Sequence, residues 1–163
     1  GTRSGDLDPA IIEYLMEKEN KTAKDIVEIL NKRSGMVGLQ KGGSSDFRDV
    51  LADYQQNKPE AVRTLDAYIY RIAKYIGAYT AAMNGVDVIC FTAGIGENSG
   101  FVREAVCKYL GFMGVKLDAG ANALRGDDTI ISTPDSPVTV MSIPTNEELM
   151  IARDTKAVVE NKG

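Results

Sequence analysis

A glycine-rich segment between an apolar run and a helical pattern is the first place where this sequence could do chemistry. Its residues are Thr92-Ala93-Gly94-Ile95-Gly96-Glu97-Asn98-Ser99. Glycines let the backbone turn tightly and approach a ligand, and the start of the following helix favours an anion such as phosphate. An ordinary strand-to-helix turn would contain the same residues. The segment therefore indicates a phosphate site and leaves a purely structural turn as the alternative.

A second segment, Pro144-Thr145-Asn146-Glu147-Glu148-Leu149, offers a carboxylate at another strand-to-helix junction. Thr145 and Glu148 have the spacing of a capping box, which gives Glu148 a structural task. Glu147 has no such task, and a carboxylate at this place in an α/β protein could hold Mg²⁺ together with nucleotide phosphates. A solvent-facing charge that favours the helix start is the alternative.

Two further segments place an arginine where it could bind a ligand. In Asp46-Phe47-Arg48 an aromatic ring and a guanidinium stand side by side and could stack on a base, although Phe47 could equally belong to the core. Arg3 lies among small residues and could clamp phosphoryl or carboxylate oxygens. A frayed chain end would also explain the residues around Arg3.

The composition limits the chemistry that is open to these residues. The 163 residues include no histidine, which excludes Ser-His-Asp, Cys-His and His-ligated zinc sites within this chain. The net charge of −4 disfavours nucleic acid as a partner. No apolar run approaches the roughly 20 residues that span a bilayer, so we expect no membrane association. Cys90 and Cys107 have neither disulfide nor metal spacing and are predicted to be buried free thiols, which fits a cytoplasmic protein.

The hydrophobic pattern predicts a mostly helical first half and a strand-helix-strand second half. The segment 34–45 is rich in glycine and serine and is predicted to be irregular. The helices are predicted at about 9–19, from Thr22 with a Thr22/Asp25 capping box, at 46–55, 59–83 and 99–110, and from Thr145 to about 159. The strands are predicted at 87–92, 129–132 and 138–142, the first of them buried on both faces. This order predicts an α/β layer architecture whose sheet is completed by strands from elsewhere.

Two other nucleotide signatures fit less well. The glycines Gly94, Gly96 and Gly100 are spaced one residue too far apart for a dinucleotide fingerprint, and Glu97 would place a negative charge beside a pyrophosphate. Asp118 nevertheless lies at a suitable distance for a ribose-binding acid, so an NAD(P) oxidoreductase stays open as a third hypothesis. A phosphate-binding loop of the Walker type is excluded at Lys41, because Gly42 follows where Ser or Thr is required.

Taken together, the four segments resemble the acetate kinase family in order and nearly in wording, over essentially the whole chain. The resemblance implies a partial actin/sugar-kinase/Hsp70-like (ribonuclease H-like) fold and reversible phosphoryl transfer between ATP and acetate. It implies that Arg3 stabilises the phosphoryl group in the transition state and that Glu147 serves Mg²⁺. The adenosine and phosphates of ATP or ADP would be held by Asp46, Phe47, Arg48, Gly94, Ile95, Gly96, Glu97 and Asn98.

The resemblance also sets expectations about the rest of the protein. Residues 1–163 would be the C-terminal part of the nucleotide-binding domain, with the N-terminal catalytic domain absent, so we expect this chain alone to be inactive. The segment 38–43 is longer and more basic than in the family. The family implies a homodimer and a short carboxylate substrate, and the sequence does not distinguish acetate from propionate or butyrate. A non-catalytic nucleotide-binding module on the same fold is the alternative, in which Arg3 has no task.

Overall fold

The computed structural model describes residues 2–41 and 43–160, which divide into two compact units, and the division falls within one long helix. The first unit extends to Arg71 and the second begins at Ile72. The shared helix, α5, runs from Pro59 to Met83, as the sequence predicts. It ends where Asn84 and Gly85 adopt positive φ and the Gly85 amide donates to the carbonyl of Thr80 at 2.9 Å.

All the regular elements described in the first unit are helices. Its other helices are α1 (Ala10–Glu19), α2 (Ala23–Lys32), α3 (Gly35–Leu39) and α4 (Phe47–Gln55). The predicted capping box at the start of α2 is confirmed, because Thr22 and Asp25 bond each other's backbone amides. The prediction of irregular structure across 34–45 is wrong for α3. Met36 is buried there, and burying this side chain outweighs the low helix propensity of the flanking glycines.

The second unit is built on a three-stranded sheet. Its strands are β1 (Val88–Phe91), β2 (Thr129–Ile130) and β3 (Thr139–Ser142), in the spatial order β1-β3-β2, with β1 parallel and β2 antiparallel to β3. The helices of this unit are the rest of α5, α6 (Ala93–Asn98), α7 (Gly100–Lys108), α8 (Ala119–Asn122) and α9 (Glu147–Glu160), with a 3₁₀ turn at Gly111–Met113. The predicted glycine turn is therefore itself a short helix, broken from α7 at Ser99.

Burial in β1 corrects two predictions. Ile89 and Phe91 are buried, whereas Val88 and Cys90 are exposed, so only one face of the strand is covered within the described residues. The prediction of a strand buried on both faces is wrong, and so is the prediction that Cys90 is buried. A side chain every second residue points to the uncovered face, and Cys90 has that parity.

Cys107, in contrast, is buried in α7, as predicted. Burial raises the pKa of its thiol to about 12. Among the described residues no helix is long and apolar enough to cross a membrane.

Candidate functional site

An open cleft in the second unit collects most of the residues that the sequence singles out there. The cleft has a volume of about 370 Å³, and the start of α6 faces the start of α9 across it. Its lining residues are Ala93, Gly94, Glu97, Thr145, Asn146, Glu147 and Glu148. The glycine-rich segment and Glu147, separated by about fifty residues in sequence, therefore lie on one cleft.

The fold brings these segments together because β1 and β3 are parallel neighbours. Phe91, the last residue of β1, is paired with Ser142, the last residue of β3. Their continuations α6 and α9 consequently begin at the same edge of the sheet, which is where open α/β sheets bind ligands. The Ile143 amide extends this pairing by donating to the carbonyl of Phe91 at 2.9 Å.

Thr145 connects the two sides of the cleft through its hydroxyl. Its Oγ1 accepts from the Ala93 amide at 2.9 Å and lies 2.7 Å from the hydroxyl of Thr92. The Thr145 amide in turn donates to a carboxylate oxygen of Glu97 at 2.7 Å. Ala93 has a φ of +58°, which an L-residue seldom adopts, and the bond that its amide donates to Thr145 helps to hold it in that conformation.

The first turn of α6 presents backbone amides toward the cleft. The first amides of a helix have no partner inside the helix. The Ala93 amide is bound by Thr145, while those of Gly94 and Ile95 have no acceptor within the part of the chain that the structure describes. A Cβ added at Gly94 would meet no atom within 4 Å, so this glycine leaves open space in the cleft.

The remaining predicted residues of the glycine segment have partly structural roles. A Cβ added at Gly96 would meet the backbone carbon of Phe91 at 3.3 Å, so a small residue is needed there for close contact with β1. Asn98 donates to the carbonyl of Gly94 at 2.9 Å and closes the helical turn. Glu97 connects α6 to Thr145, and Ile95 is half-buried.

The predicted N-cap of α9, Thr145, is wrong by one residue. The helix begins at Glu147, and the side chain of Asn146 accepts from the Leu149 amide at 3.0 Å, which makes Asn146 the N-cap. Thr145 is not the cap, because its hydroxyl is occupied by Ala93. Glu147 is exposed at the helix start, and no hydrogen bond or ion pair engages its carboxylate within the described residues.

The other four predicted site residues lie in the first unit. Asp46 caps α4 by accepting from the Arg48 amide at 2.8 Å, and its carboxylate also binds the Arg48 guanidinium at 2.6 Å. The side-chain bond from Arg48, followed by the backbone bond, lowers the pKa of Asp46 to about 2. Phe47 is half-buried, and its ring lies 5.8 Å from that of Tyr68, so it belongs partly to the core.

Arg3 is exposed on a fixed backbone. The carbonyl of Thr2 accepts from the Ser34 amide at 3.0 Å, and the Ser4 amide donates to the carbonyl of Leu30 at 2.9 Å. These two bonds on either side of Arg3 argue against a frayed end. No hydrogen bond or ion pair of the described residues joins Arg3 to the Asp46 cluster.

Comparison with known proteins identifies the family. The model of the acetokinase family matches residues 1–153. The chain belongs to the acetokinase family. It is 59% identical over 161 residues to an acetate kinase of Thermosipho melanesiensis and 59% identical over 165 residues to one of Thermotoga maritima. These alignments cover 98% and 100% of this chain but only 40% and 41% of the two relatives.

Solved structures agree with this assignment. The acetokinase chain matches a Porphyromonas gingivalis acetate kinase with a TM-score of 0.87 at 46% identity, over 97% of this chain and 40% of that one. It matches a Francisella tularensis propionate kinase with a TM-score of 0.84 at 34% identity, over 93% of this chain and 38% of that one. The predicted fold, a partial actin/sugar-kinase/Hsp70-like α/β domain, is confirmed.

Sequence reasoning missed two residues that organise this site. Thr145 was assigned to the helix cap, and its cross-cleft bond depends on a strand pairing that sequence alone does not give. The second missed residue is Arg103, whose charged side chain is fully buried. Its position one turn before Val106 and two turns before Leu110, both apolar and buried, could have indicated this, because helical residues three or four apart share a face.

Proposed function

We propose that the protein to which this chain belongs is an acetate kinase, which transfers a phosphoryl group reversibly between ATP and the carboxylate of acetate. The family membership and the names of the relatives support this reaction. The observation that carries the proposal within the structure is that Glu147 and the open space at Gly94 lie on one cleft of an acetokinase chain. In this proposal the nucleotide phosphates enter that cleft.

The charges of the cleft suit a nucleotide that arrives with a cation. Glu97, Glu147 and Glu148 line it, and no lysine or arginine of the described part of the chain is among its lining residues. A polyphosphate would be repelled by three carboxylates unless a divalent cation stood between them. Mg²⁺ prefers one or two carboxylates together with phosphate oxygens and water. This donor set fits the ion, with Glu147 as its ligand, and Mg²⁺ would neutralise phosphate charge during transfer.

Within this proposal each group of residues has a separate task. The amides of Gly94 and Ile95 donate to phosphate oxygens, and the space at Gly94 lets the backbone approach them closely. Gly96, Glu97 and Asn98 hold that backbone in place. In the first unit, Asp46, Phe47 and Arg48 line the adenosine pocket, and Arg3 donates to the phosphoryl group as charge develops in the transition state.

The chain spans about 40% of the length of the curated relatives it matches. We therefore propose that residues 1–163 are the C-terminal part of a nucleotide-binding domain, which works with an N-terminal domain of the same protein. A homodimer and a cytoplasmic location complete the proposal. The 163-residue chain alone should form no acetyl phosphate. Measurable formation by it would contradict the proposal that an N-terminal domain is required.

One set of variants of the full-length protein tests the assignment of Glu147. Acetyl phosphate formation is measured while Mg²⁺ is titrated at saturating ATP. Glu147→Gln should raise the Mg²⁺ concentration at half-maximal rate about tenfold, since a charged ligand is lost. Glu148→Gln, which removes the same charge from the same cleft, is the matched control and should shift it far less. Equal shifts would show that only the summed charge of the cleft matters.

A second set separates a kinase from a nucleotide-binding module without chemistry. Arg3→Ala should lower kcat strongly while ADP still binds, because its bond forms in the transition state. Arg63→Ala removes another exposed arginine of the first unit and should leave kcat unchanged. Unchanged turnover in Arg3→Ala would reject the role of Arg3, and a wild-type protein that binds ADP without forming acetyl phosphate would favour the binding module.

A further inference from the structure

Arg103 is a fully buried cation in the second unit, with 0% of its surface exposed. Its Nη1 donates to the carbonyls of Gly96 at 2.9 Å and Glu97 at 2.8 Å. Its Nε donates to the side-chain oxygen of Asn122 at 2.8 Å, and its Nη2 to the Asn122 carbonyl at 2.5 Å. Neutral oxygens thus accept all four bonds, and no carboxylate among the described residues pairs with this charge.

Burying a guanidinium without a counter-ion is costly. Desolvation lowers the pKa of Arg103, and the nearby charge of Arg125 lowers it further. An apolar side chain would fill the same stripe of α7 without that cost. The bonds to Gly96 and Glu97 explain the presence of an arginine. Both carbonyls belong to the last turn of α6, and the last carbonyls of a helix have no donor within the helix, so Arg103 supplies one. A cation at this end also favours the helix dipole.

Arg103 therefore fixes α6 from the end opposite to the cleft. The Asn122 side chain completes the clamp by donating to the carbonyl of Gly100 at 2.9 Å, at the start of α7. From α6 the connection continues to the other side of the cleft, because the Glu97 carboxylate holds the Thr145 amide at 2.7 Å. Glu147 follows two residues later. One buried side chain thus sets the relative position of the α6 amides and the segment that carries Glu147.

We infer that Arg103 is a positioning residue of the nucleotide site, which holds the amides of Gly94 and Ile95 at the spacing from Glu147 that a nucleotide with its cation requires. This inference rests on the proposed function. Arg103 is fully buried, so in this inference it acts through α6 and does not touch the nucleotide. Its loss should loosen the phosphate site and leave the binding of the carboxylate substrate in place.

The test uses Arg103→Met and Arg103→Lys in the full-length protein, with Val106→Ala as the control. Val106 is equally buried on α7, and its side chain has no polar atom that could bond to α6. Melting temperature, calorimetric ADP affinity, and the KM values for ATP and acetate are measured for each variant. Arg103→Met should raise the KM for ATP about tenfold and change the KM for acetate less than about twofold.

The conservative variant and the control decide whether the effect is specific. A lysine ammonium can still donate to one carbonyl, but it cannot bond to Asn122 and to the carbonyls of α6 at the same time. Arg103→Lys should therefore give an intermediate KM for ATP. Val106→Ala should lower the melting temperature and leave the KM for ATP unchanged. If Arg103→Met does not fold, the comparison of Arg103→Lys with Val106→Ala gives the result.

Two results would overturn the inference. One is a folded Arg103 variant with wild-type ADP affinity and KM for ATP. The other is a Val106→Ala protein whose KM for ATP rises as much as that of the arginine variants. A wild-type protein that binds ADP but forms no acetyl phosphate rejects the proposed function alone, and weaker ADP binding by the Arg103 variants then still supports the inference. A wild-type protein that does neither overturns both.

Discussion

Replacing Gly94 by alanine separates the folding role of the glycine segment from a ligand-binding role. Gly94 lies in the first turn of α6 without a positive φ, and a Cβ there meets no atom within 4 Å. Alanine should therefore cause no clash. Alanine is favoured over glycine in a helix by about 0.5–1 kcal/mol, so the folded state should be unchanged or slightly stabilised.

The same methyl group would stand in the cleft where we propose that phosphate meets the backbone. We expect ADP affinity to fall about tenfold or more, as a close backbone approach is lost. Gly96→Ala is the contrasting variant. Its Cβ would lie 3.3 Å from the Phe91 backbone, so it should destabilise the fold by about 1–3 kcal/mol through overpacking.

Thermal unfolding and calorimetric ADP titration of both variants of the full-length protein provide the assay. Gly94→Ala should melt at or slightly above the wild-type temperature and Gly96→Ala below it. Wild-type ADP affinity in a fully folded Gly94→Ala protein would refute the proposed approach of the nucleotide to α6.

Three further predictions follow from the contacts described above. In the folded 163-residue chain iodoacetamide should modify Cys90 and not Cys107, whose burial and raised pKa disfavour the reactive thiolate. Arg48→Ala should move the pKa of Asp46 from about 2 toward 3.8, as measured by NMR titration of its carboxyl carbon. Thr145→Val should lower the free energy of unfolding by about 0.5–1.5 kcal/mol, measured by urea titration, because the Ala93 amide loses its acceptor.

Each of these predictions has an internal control. Both cysteines should react after denaturation, and modification of Cys107 in the native chain would contradict its burial. Asp135, whose pKa is lowered to about 2 mainly by its bond from Lys116, should be unaffected by Arg48→Ala. Thr145→Ser retains the hydroxyl and should unfold like wild type; equal loss in both Thr145 variants would mean that the methyl group, not the hydrogen bond, is what matters.

The lowered pKa of Asp46 also determines how its contribution to the stability of the fold changes with pH. Because the value in the folded state lies below the ordinary 3.8, the ionised carboxylate contributes stability above that pH, and the contribution is lost as the pH falls toward 2. The group is solvent-exposed, so screening keeps this contribution small. Acid unfolding between these values should therefore be only slightly shifted in Arg48→Ala.

Local signals predicted most of the secondary structure. Pro59 and the Asn84-Gly85 pair bound α5 correctly, because proline and a left-handed asparagine act through the backbone of their own neighbours. The Thr22/Asp25 capping box is equally local. Burial was harder to predict, since an apolar run such as Val88–Phe91 has the same composition whether one face of the strand is covered or two.

The sequence predicts which residues belong to the candidate site better than it predicts how they are arranged. Gly94 and Glu147 stand out because a glycine lets the backbone approach a ligand closely, and because the capping-box spacing gives Glu148, but not Glu147, a structural task. Their common cleft depends on the parallel register of β1 with β3, which is a property of the sheet. The bonds of Thr145 and Arg103 arise from the same tertiary arrangement, so spacing along the chain gave Thr145 a capping role that Asn146 performs.

The unpaired edge of β1 affects how the isolated chain behaves in solution. In the described sheet β1 pairs only with β3, so its other edge offers backbone donors and acceptors beside the 47% exposed side chain of Val88. Such edges template pairing between molecules. Concentrated solutions of the 163-residue chain should consequently lose protein to precipitation, and a charged side chain at position 88, as in Val88→Lys, should improve its solubility.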